Sequence, residues 1–116
     1  MTHPRKAPKL VRDKIPAIIR AEGREPVIRV ITGEKLTEAL NAKFLEEYDE
    51  FLAASQPNDR FAELADLLEV VISMAAHLGM SEADLLALCY KKRAARGGFA
   101  EGFFFEGCLE EKETAG

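Results

Sequence analysis

Two helical patterns separated by a short turn decide the fold, and they occupy residues 34–78, EKLTEALNAKFLEEYDEFLAASQPNDRFAELADLLEVVISMAAHL. Apolar residues recur every three or four positions in residues 34–54 and again in residues 59–78, as they do along one face of an α-helix. The intervening SQPN, residues 55–58, is typical of a turn. A short connection between two long helices predicts an antiparallel helical hairpin.

The segments on either side of this hairpin complete a mainly α-helical chain. We expect shorter helices over residues 13–22 and 81–96, because each contains an apolar face and ends at a glycine. The β-branched run of residues 26–32 and the three phenylalanines of residues 103–105 predict two short strands that could pair with each other. The predicted fold class is therefore mainly α: an antiparallel helical bundle with a possible short two-stranded β element.

The length and composition predict a single globular domain. The chain has 116 residues, of which 47% are hydrophobic and 31% charged, so that two domains would each lack a core. We expect a flexible basic arm over residues 1–8, one domain over residues 9–109 and a charged tail over residues 110–116. Two long helices and a shorter one leave a large apolar area for a chain of this length, which predicts an obligate oligomer.

Charge and cysteine usage restrict the partners and the compartment. The formal net charge is −4, which argues against stable binding to nucleic acid. No apolar run approaches the roughly 20 residues that a membrane-spanning helix needs, so we expect no membrane partner. The two cysteines, Cys89 and Cys108, match no zinc or redox spacing, which predicts a reducing cytoplasm.

Acidic residues interrupt the apolar faces of the two long helices. Glu47 lies between Phe44 and Phe51 on the apolar line of the first helix, and Glu63 and Asp66 flank the apolar line of the second. Burying an ionised carboxylate without compensation costs several kcal/mol, and neighbouring carboxylates also repel one another. The basic residues within these helices are only Lys35, Lys43 and Arg60. A bound cation is therefore the better compensating charge.

The chemistry of the acidic cluster narrows the choice of cation. Its donors are all oxygens, which suit Mg²⁺, Mn²⁺ or Ca²⁺ better than zinc or copper. A di-iron bundle would need Glu-x-x-His pairs, and neither long helix contains one. The alternative interpretation is a solvated acidic face, which we accept for Asp49.

Three motifs together resemble a known family. They are KLVRDKIP at residues 9–16, the acidic pair of motifs at residues 46–50 and 63–66, and RGGF at residues 96–99. In this order they are similar to the MazG-like, phosphoribosyl-ATP pyrophosphohydrolase-like family of all-α nucleoside triphosphate pyrophosphohydrolases. The resemblance covers residues 9–109.

The resemblance implies an activity and a set of site residues. Members of the family cleave the bond between the α and β phosphates to give a monophosphate and pyrophosphate. They require Mg²⁺, for which Mn²⁺ can substitute, and assemble as homodimers or homotetramers. A house-cleaning role in the nucleotide pool would suit this activity. By motif position, the metal ligands would be Glu47, Glu50, Glu63 and Asp66. Glu46 is a candidate for the base that activates water, and Glu50 could share that role.

The phosphates of such a substrate need further cations, which the chain supplies at both ends. The candidate phosphate-binding residues are Lys9, Arg12, Lys14, Lys92 and Arg96. For Lys92 a favourable charge at a helix C-terminus is an equal alternative. Two other functions stay open: phosphoribosyl-ATP hydrolysis, and a non-catalytic helical assembly module that binds a divalent ion.

Overall fold

Four helices make up all the regular secondary structure in the part of the chain that the computed structural model describes, residues 8–110. Their bounds are Ile15–Ala21 for α1, Gly33–Ala53 for α2, Pro57–His77 for α3 and Glu82–Arg96 for α4. Each expected helix is present, so the mainly α-helical class is confirmed. Most of the predicted arm (1–8) and tail (110–116) lies outside the described residues.

Local sequence explains where the helices begin and end. Pro57 opens α3, where its fixed backbone angle suits the first turn and its missing N–H loses no helical bond. The Ser81 Oγ accepts a hydrogen bond of 3.2 Å from the Asp84 backbone N–H and thereby caps α4. α4 stops at Gly97, which has a φ of 84° that other residues rarely adopt.

α2 and α3 pack against each other as the predicted hairpin, and this pair positions the site. α2 buries Leu40 and Glu47, and α3 buries Val70 and Ala75. α4 contacts α3 but buries none of its own residues. Within residues 8–110 the chain therefore contains one packed helix pair and a third helix attached to it.

The predicted two-stranded β element is absent from residues 8–110, and this part of the fold prediction is wrong. Residues 24–32 have no regular secondary structure, and Val27 and Val30 are exposed. The side chains of residues 103–105 are exposed as well. A β-branched or aromatic run fits a pleated surface, but a strand forms only when a neighbouring strand completes its backbone hydrogen bonds. Neither segment has such a neighbour here.

The chain is extended for its length. Its radius of gyration is 21.0 Å, whereas a compact domain of this size has about 13 Å. In the described part of the chain, the buried hydrophobic residues are Leu40, Val70 and Ala75. A single copy thus encloses only a small core. None of the helices in the described ranges is both long and apolar enough to span a membrane.

Candidate metal centre

Three glutamates meet where α2 faces α3. Glu47 and Glu50 are three residues apart on α2 and so are neighbours on its surface. Glu63 of α3 and Glu47 lie at equal distances along the chain from the middle of the turn, so hairpin packing brings them to the same level. One carboxylate oxygen from each of the three residues lies within 4.8 Å of the others. We call these three residues the glutamate cluster.

Two oxygens of the glutamate cluster lack any hydrogen-bond partner. Glu47 is buried, with 6% of its surface exposed, whereas Glu63 is half-buried and Glu50 exposed. The Glu47 Oε2 and Glu63 Oε2 atoms are inaccessible to solvent and accept no hydrogen bond. A buried polar atom without a partner is costly, and more so when it is charged. The expectation that Glu47 lies on the packed face is confirmed, and its free oxygen fits a cation.

Crowding raises the pKa of two members of the cluster, Glu63 and Glu50. Burial raises the pKa of Glu63 to about 7, and the neighbouring carboxylates of Glu47 and Glu50 add to the effect. Burial also raises the pKa of Glu50, and the negative charge of Glu47 adds to the effect. Without a cation, a proton near neutral pH partly takes the place of the missing positive charge.

Lys43 is a site residue to which the sequence alone assigned no role. Its Nζ lies 3.3 Å from Glu47 Oε1 and 3.3 Å from Glu46 Oε2, and 16% of its side chain is exposed. Burial favours the neutral amine, but the hydrogen bond to Glu47 and the charge of Glu46 outweigh burial and raise the pKa of Lys43. The spacing of three and four residues along α2 was the available signal. Lys43 forms an ion pair with Oε1 of Glu47 and leaves Oε2 without a partner.

Glu46, one of the two predicted catalytic carboxylates, lies beside the cluster and is held by two lysines. Its Oε1 lies 3.3 Å from Lys9 Nζ, and its Oε2 lies 3.3 Å from Lys43 Nζ. Burial favours the neutral acid, but the hydrogen bond from Lys9 and the charge of Lys43 outweigh it and lower the pKa of Glu46. A carboxylate with a lowered pKa is a weak base near neutral pH. Of the two predicted catalytic carboxylates, Glu50 is therefore the better candidate for that role.

Asp66, the fourth predicted ligand, is not part of the glutamate cluster in this structure. Its Oδ1 accepts a hydrogen bond of 2.6 Å from Arg12 Nη2. Asp66 is half-buried on α3, and Arg12 reaches it from the segment that precedes α1. The structure thus brings Lys9 and Arg12, two predicted phosphate-binding residues, directly onto the acidic side chains of the site.

The other predicted phosphate-binding residues are not assembled with these two. Among the ion pairs of residues 8–110, none involves Lys14, Lys92 or Arg96. Lys92 and Arg96 lie on α4, which packs on α3 and not on α2. Within one copy of the chain, these three residues therefore form no ion pair with the acidic side chains at the site, unlike Lys9 and Arg12.

Comparisons with known proteins find similarity over part of the chain. No family model matches the chain, and no solved structure matches it. The chain is similar to an uncharacterized protein of Mycolicibacterium smegmatis, with 52% identity over 46 residues, which is 40% of this chain and 47% of the relative. The match thus spans about half the length of that curated relative. Because that relative is uncharacterized, the similarity assigns no activity to this chain.

Proposed function

We propose that this protein is a magnesium-dependent nucleotide pyrophosphohydrolase. It would cleave the bond between the α and β phosphates of a nucleoside triphosphate and release a monophosphate and pyrophosphate. The observation that supports this most is the glutamate cluster, with buried and unpartnered oxygens on Glu47 and Glu63. The resemblance of the three sequence motifs to MazG-like enzymes supplies the reaction type.

The residues present fit a hard divalent cation. Glu47, Glu50 and Glu63 would hold it, and Asp66 would join them if Arg12 released its carboxylate. An all-oxygen donor set suits Mg²⁺ or Mn²⁺. Such an ion, when bound, neutralises negative charge on phosphate oxygens and lowers the pKa of a water molecule.

The remaining side chains have roles that follow from their contacts. Glu50 is the exposed member of the glutamate cluster, so it is the carboxylate best placed to take a proton from water. Lys43 fixes the orientation of Glu47. Lys9 and Arg12 stand where an anionic phosphate group could exchange places with the carboxylates that they now contact.

A shallow depression near the site could contact one edge of the nucleoside end of the substrate. It lies between α2 and the C-terminal end of α3, close to the turn that joins α3 to α4. Its volume is about 80 Å³. Its lining includes apolar Leu40 and Met74 together with the polar side chains of Thr37, Asn41 and His77. Asn41 and Glu47 are six residues apart on α2, or about 9 Å along the helix. This separation is comparable to that between a base and its phosphates.

The proposal includes the assembly and the location of the enzyme. We propose a homodimer or homotetramer in which helices from several copies form one bundle, because a single copy has so small a core. A cytoplasmic location accords with the two free cysteines, Cys89 and Cys108, both exposed. Neither membrane nor stable nucleic-acid binding is part of the proposal.

A product assay over a nucleotide panel tests the chemistry. Ribonucleotides, deoxyribonucleotides, damaged nucleotides and phosphoribosyl-ATP are each incubated with the protein and Mg²⁺. We expect monophosphate and pyrophosphate from at least one nucleoside triphosphate, loss of activity with a chelator, and recovery with Mg²⁺ or Mn²⁺. Glu47→Gln should lose this activity, whereas Asp49→Asn, on an exposed position of the same helix, should keep it.

Each other result of the panel assay has a definite meaning. Diphosphate and orthophosphate as primary products would contradict the proposal. Turnover of phosphoribosyl-ATP alone would favour the histidine-biosynthesis alternative. Tight Mg²⁺ binding without turnover of any panel member would favour the non-catalytic helical module.

A further inference from the structure

The last described part of the chain, residues 97–110, exposes nearly all of its apolar surface. We call it the C-terminal segment. Its five large apolar side chains are between 80% and 97% exposed, and they are Phe99, Phe103, Phe104, Phe105 and Leu109. Single exposed apolar residues are ordinary on a protein surface, but a contiguous group of this size marks an interaction surface.

The chain exposes more surface than a compact monomer of the same mass would. Its accessible surface is 10771 Å², about 4,500 Å² more than a compact monomer of 12.9 kDa would expose. An obligate dimer buries roughly 1,000–2,500 Å² on each subunit. The excess therefore exceeds what a stable dimer needs, and the C-terminal segment contributes its most apolar part.

A second copy of the chain is the occupant that this surface requires. Over residues 8–110 the buried hydrophobic residues are Leu40, Val70 and Ala75, and so small a core does little to offset conformational entropy. Its partner must then be present whenever the chain folds, a condition that a second copy always meets. Closed homo-oligomers are also the commonest assemblies of soluble proteins.

Each helix of the hairpin has exposed apolar positions. Leu45 and Leu52 are seven residues apart on α2, and Phe61 and Leu68 are seven residues apart on α3; all four are exposed. Residues with this spacing lie on one side of a helix. Charge also favours contact, because basic residues 91–93 and Arg96 precede the C-terminal segment and the hairpin bears the glutamate cluster.

We propose that the C-terminal segment is an exchange arm, which packs its phenylalanines on the α2–α3 hairpin of a second copy and receives that copy's segment in return. The chain leaves α4 at Gly97, and Gly102 has a φ of 66°, so the backbone turns sharply between the helix and the phenylalanines. This inference concerns assembly and does not depend on the proposed pyrophosphohydrolase activity.

Sedimentation of the full-length protein, without nucleotide or metal, gives the first test. Wild type should be a dimer or larger at micromolar concentration. Phe103→Ser, Phe104→Ser and Phe105→Ser combined should raise the dissociation constant about 100-fold or more, because buried aromatic anchors contribute most of the energy of an interface. Circular dichroism reports whether the variant keeps its helices. A matched control is Tyr90→Ser, which removes an exposed aromatic from α4.

Alkylation of Cys108 gives a second test that needs no phenylalanine substitution. Cys108 lies within the C-terminal segment and is exposed in one copy. In a Cys89→Ser background, Cys108 should react about tenfold more slowly when assembled than after dilution to monomers. Equal reactivity at both concentrations, a stable wild-type monomer, or unchanged assembly of the helical triple variant would each overturn the exchange arm. None of these readouts depends on catalysis.

Discussion

Glu47 is the buried charged residue among the described side chains. Its two carboxylate oxygens need two different positive charges to compensate them. Lys43 contacts its Oε1 at 3.3 Å. Its Oε2 is equally buried and contacts no donor. An ionised carboxylate in this position is stable only when both oxygens are compensated. A lysine on one side and a divalent cation on the other would meet this condition without an additional proton.

Glu50→Gln should separate the electrostatic cost of the site from its function. The substitution removes one negative charge from beside Glu47 and Glu63, so the metal-free variant should melt no lower than wild type. Its activity should fall about 100-fold or more, as expected for loss of a general base. Saturating Mg²⁺, at about 100 times its dissociation constant, should stabilise wild type by about 2.7 kcal/mol and the variant by less.

Thermal melts with and without Mg²⁺, combined with the product assay, check the effect of Glu50→Gln. Asp49→Asn is the control, because Asp49 is exposed on the neighbouring position of α2 and outside the glutamate cluster. Unfolding of the metal-free Glu50→Gln variant would mean that Glu50 has a structural hydrogen-bonding role. The account of the cluster as a cation site would then be wrong.

The raised pKa of Glu63 predicts a pH dependence of stability in the metal-free protein. The pKa is about 7 in the folded state, against an ordinary value of 4.5. The folded state therefore binds this proton more tightly than the unfolded state does. The stabilisation is complete below about pH 4.5 and is lost as the pH rises to about 7.

Urea unfolding across this pH range measures the contribution of Glu63. The free energy of unfolding of wild type, relative to that of Glu63→Gln, should decline between about pH 4.5 and 7 and level off above. Glu38→Gln, on an exposed part of α2, should run parallel to wild type. A constant difference between wild type and Glu63→Gln would show that Glu63 ionises normally.

At the scale of elements, the segment before α1 is attached to the hairpin by two ion pairs. Lys9 contacts Glu46 of α2, and Arg12 contacts Asp66 of α3. Both pairs are largely exposed, and exposed ion pairs contribute about 0.2–1 kcal/mol. Pairs this weak can be exchanged for a metal ion on Asp66 and a phosphate on Arg12.

Arg12→Gln should therefore change metal binding and nucleotide binding in opposite directions. Without its competitor for Asp66, Mn²⁺ should bind about two- to fivefold more tightly in the absence of nucleotide. In the presence of Mn²⁺, the variant should bind a non-hydrolysable nucleotide more weakly. Calorimetric titration measures both affinities. Arg24→Gln breaks a similar exposed pair, with Glu22, and should change neither. Weaker binding of both ligands by Arg12→Gln would contradict the exchange.

Elements that depend on local periodicity could be predicted from the sequence, and those that depend on distant partners could not. The helix bounds and the packed position of Glu47 follow from a repeat of three to four residues within a single helix. The pairing of Arg12 with Asp66 joins residues 54 positions apart, and no local pattern reports it. The strands expected at residues 26–32 and 103–105 were wrong for the same reason: strand formation depends on a distant neighbour.

At the scale of the whole molecule, the apolar composition and the small core are in conflict. Hydrophobic residues make up 47% of the chain, yet within residues 8–110 three of them are buried. The exposed remainder includes residues on α2, α3 and α4 as well as on the C-terminal segment. The proposed assembly would resolve this conflict, because surfaces that a single copy leaves in water would become the interior of a shared bundle.

Assembly on this scale predicts that folding and association occur together, so thermal stability should depend on protein concentration. For a dimer that unfolds directly to monomers, each tenfold increase in concentration should raise the Tm by about 3 °C. Calorimetry at several concentrations measures the shift, and sedimentation at the same concentrations gives the number of copies. A Tm independent of concentration, together with a monomer that keeps its helices, would contradict assembly. The triple phenylalanine variant should melt at a lower Tm than wild type at each concentration. An unchanged Tm in that variant would instead retain the oligomer and assign its interface to the helices, because this prediction concerns the total buried surface and not the exchange arm alone.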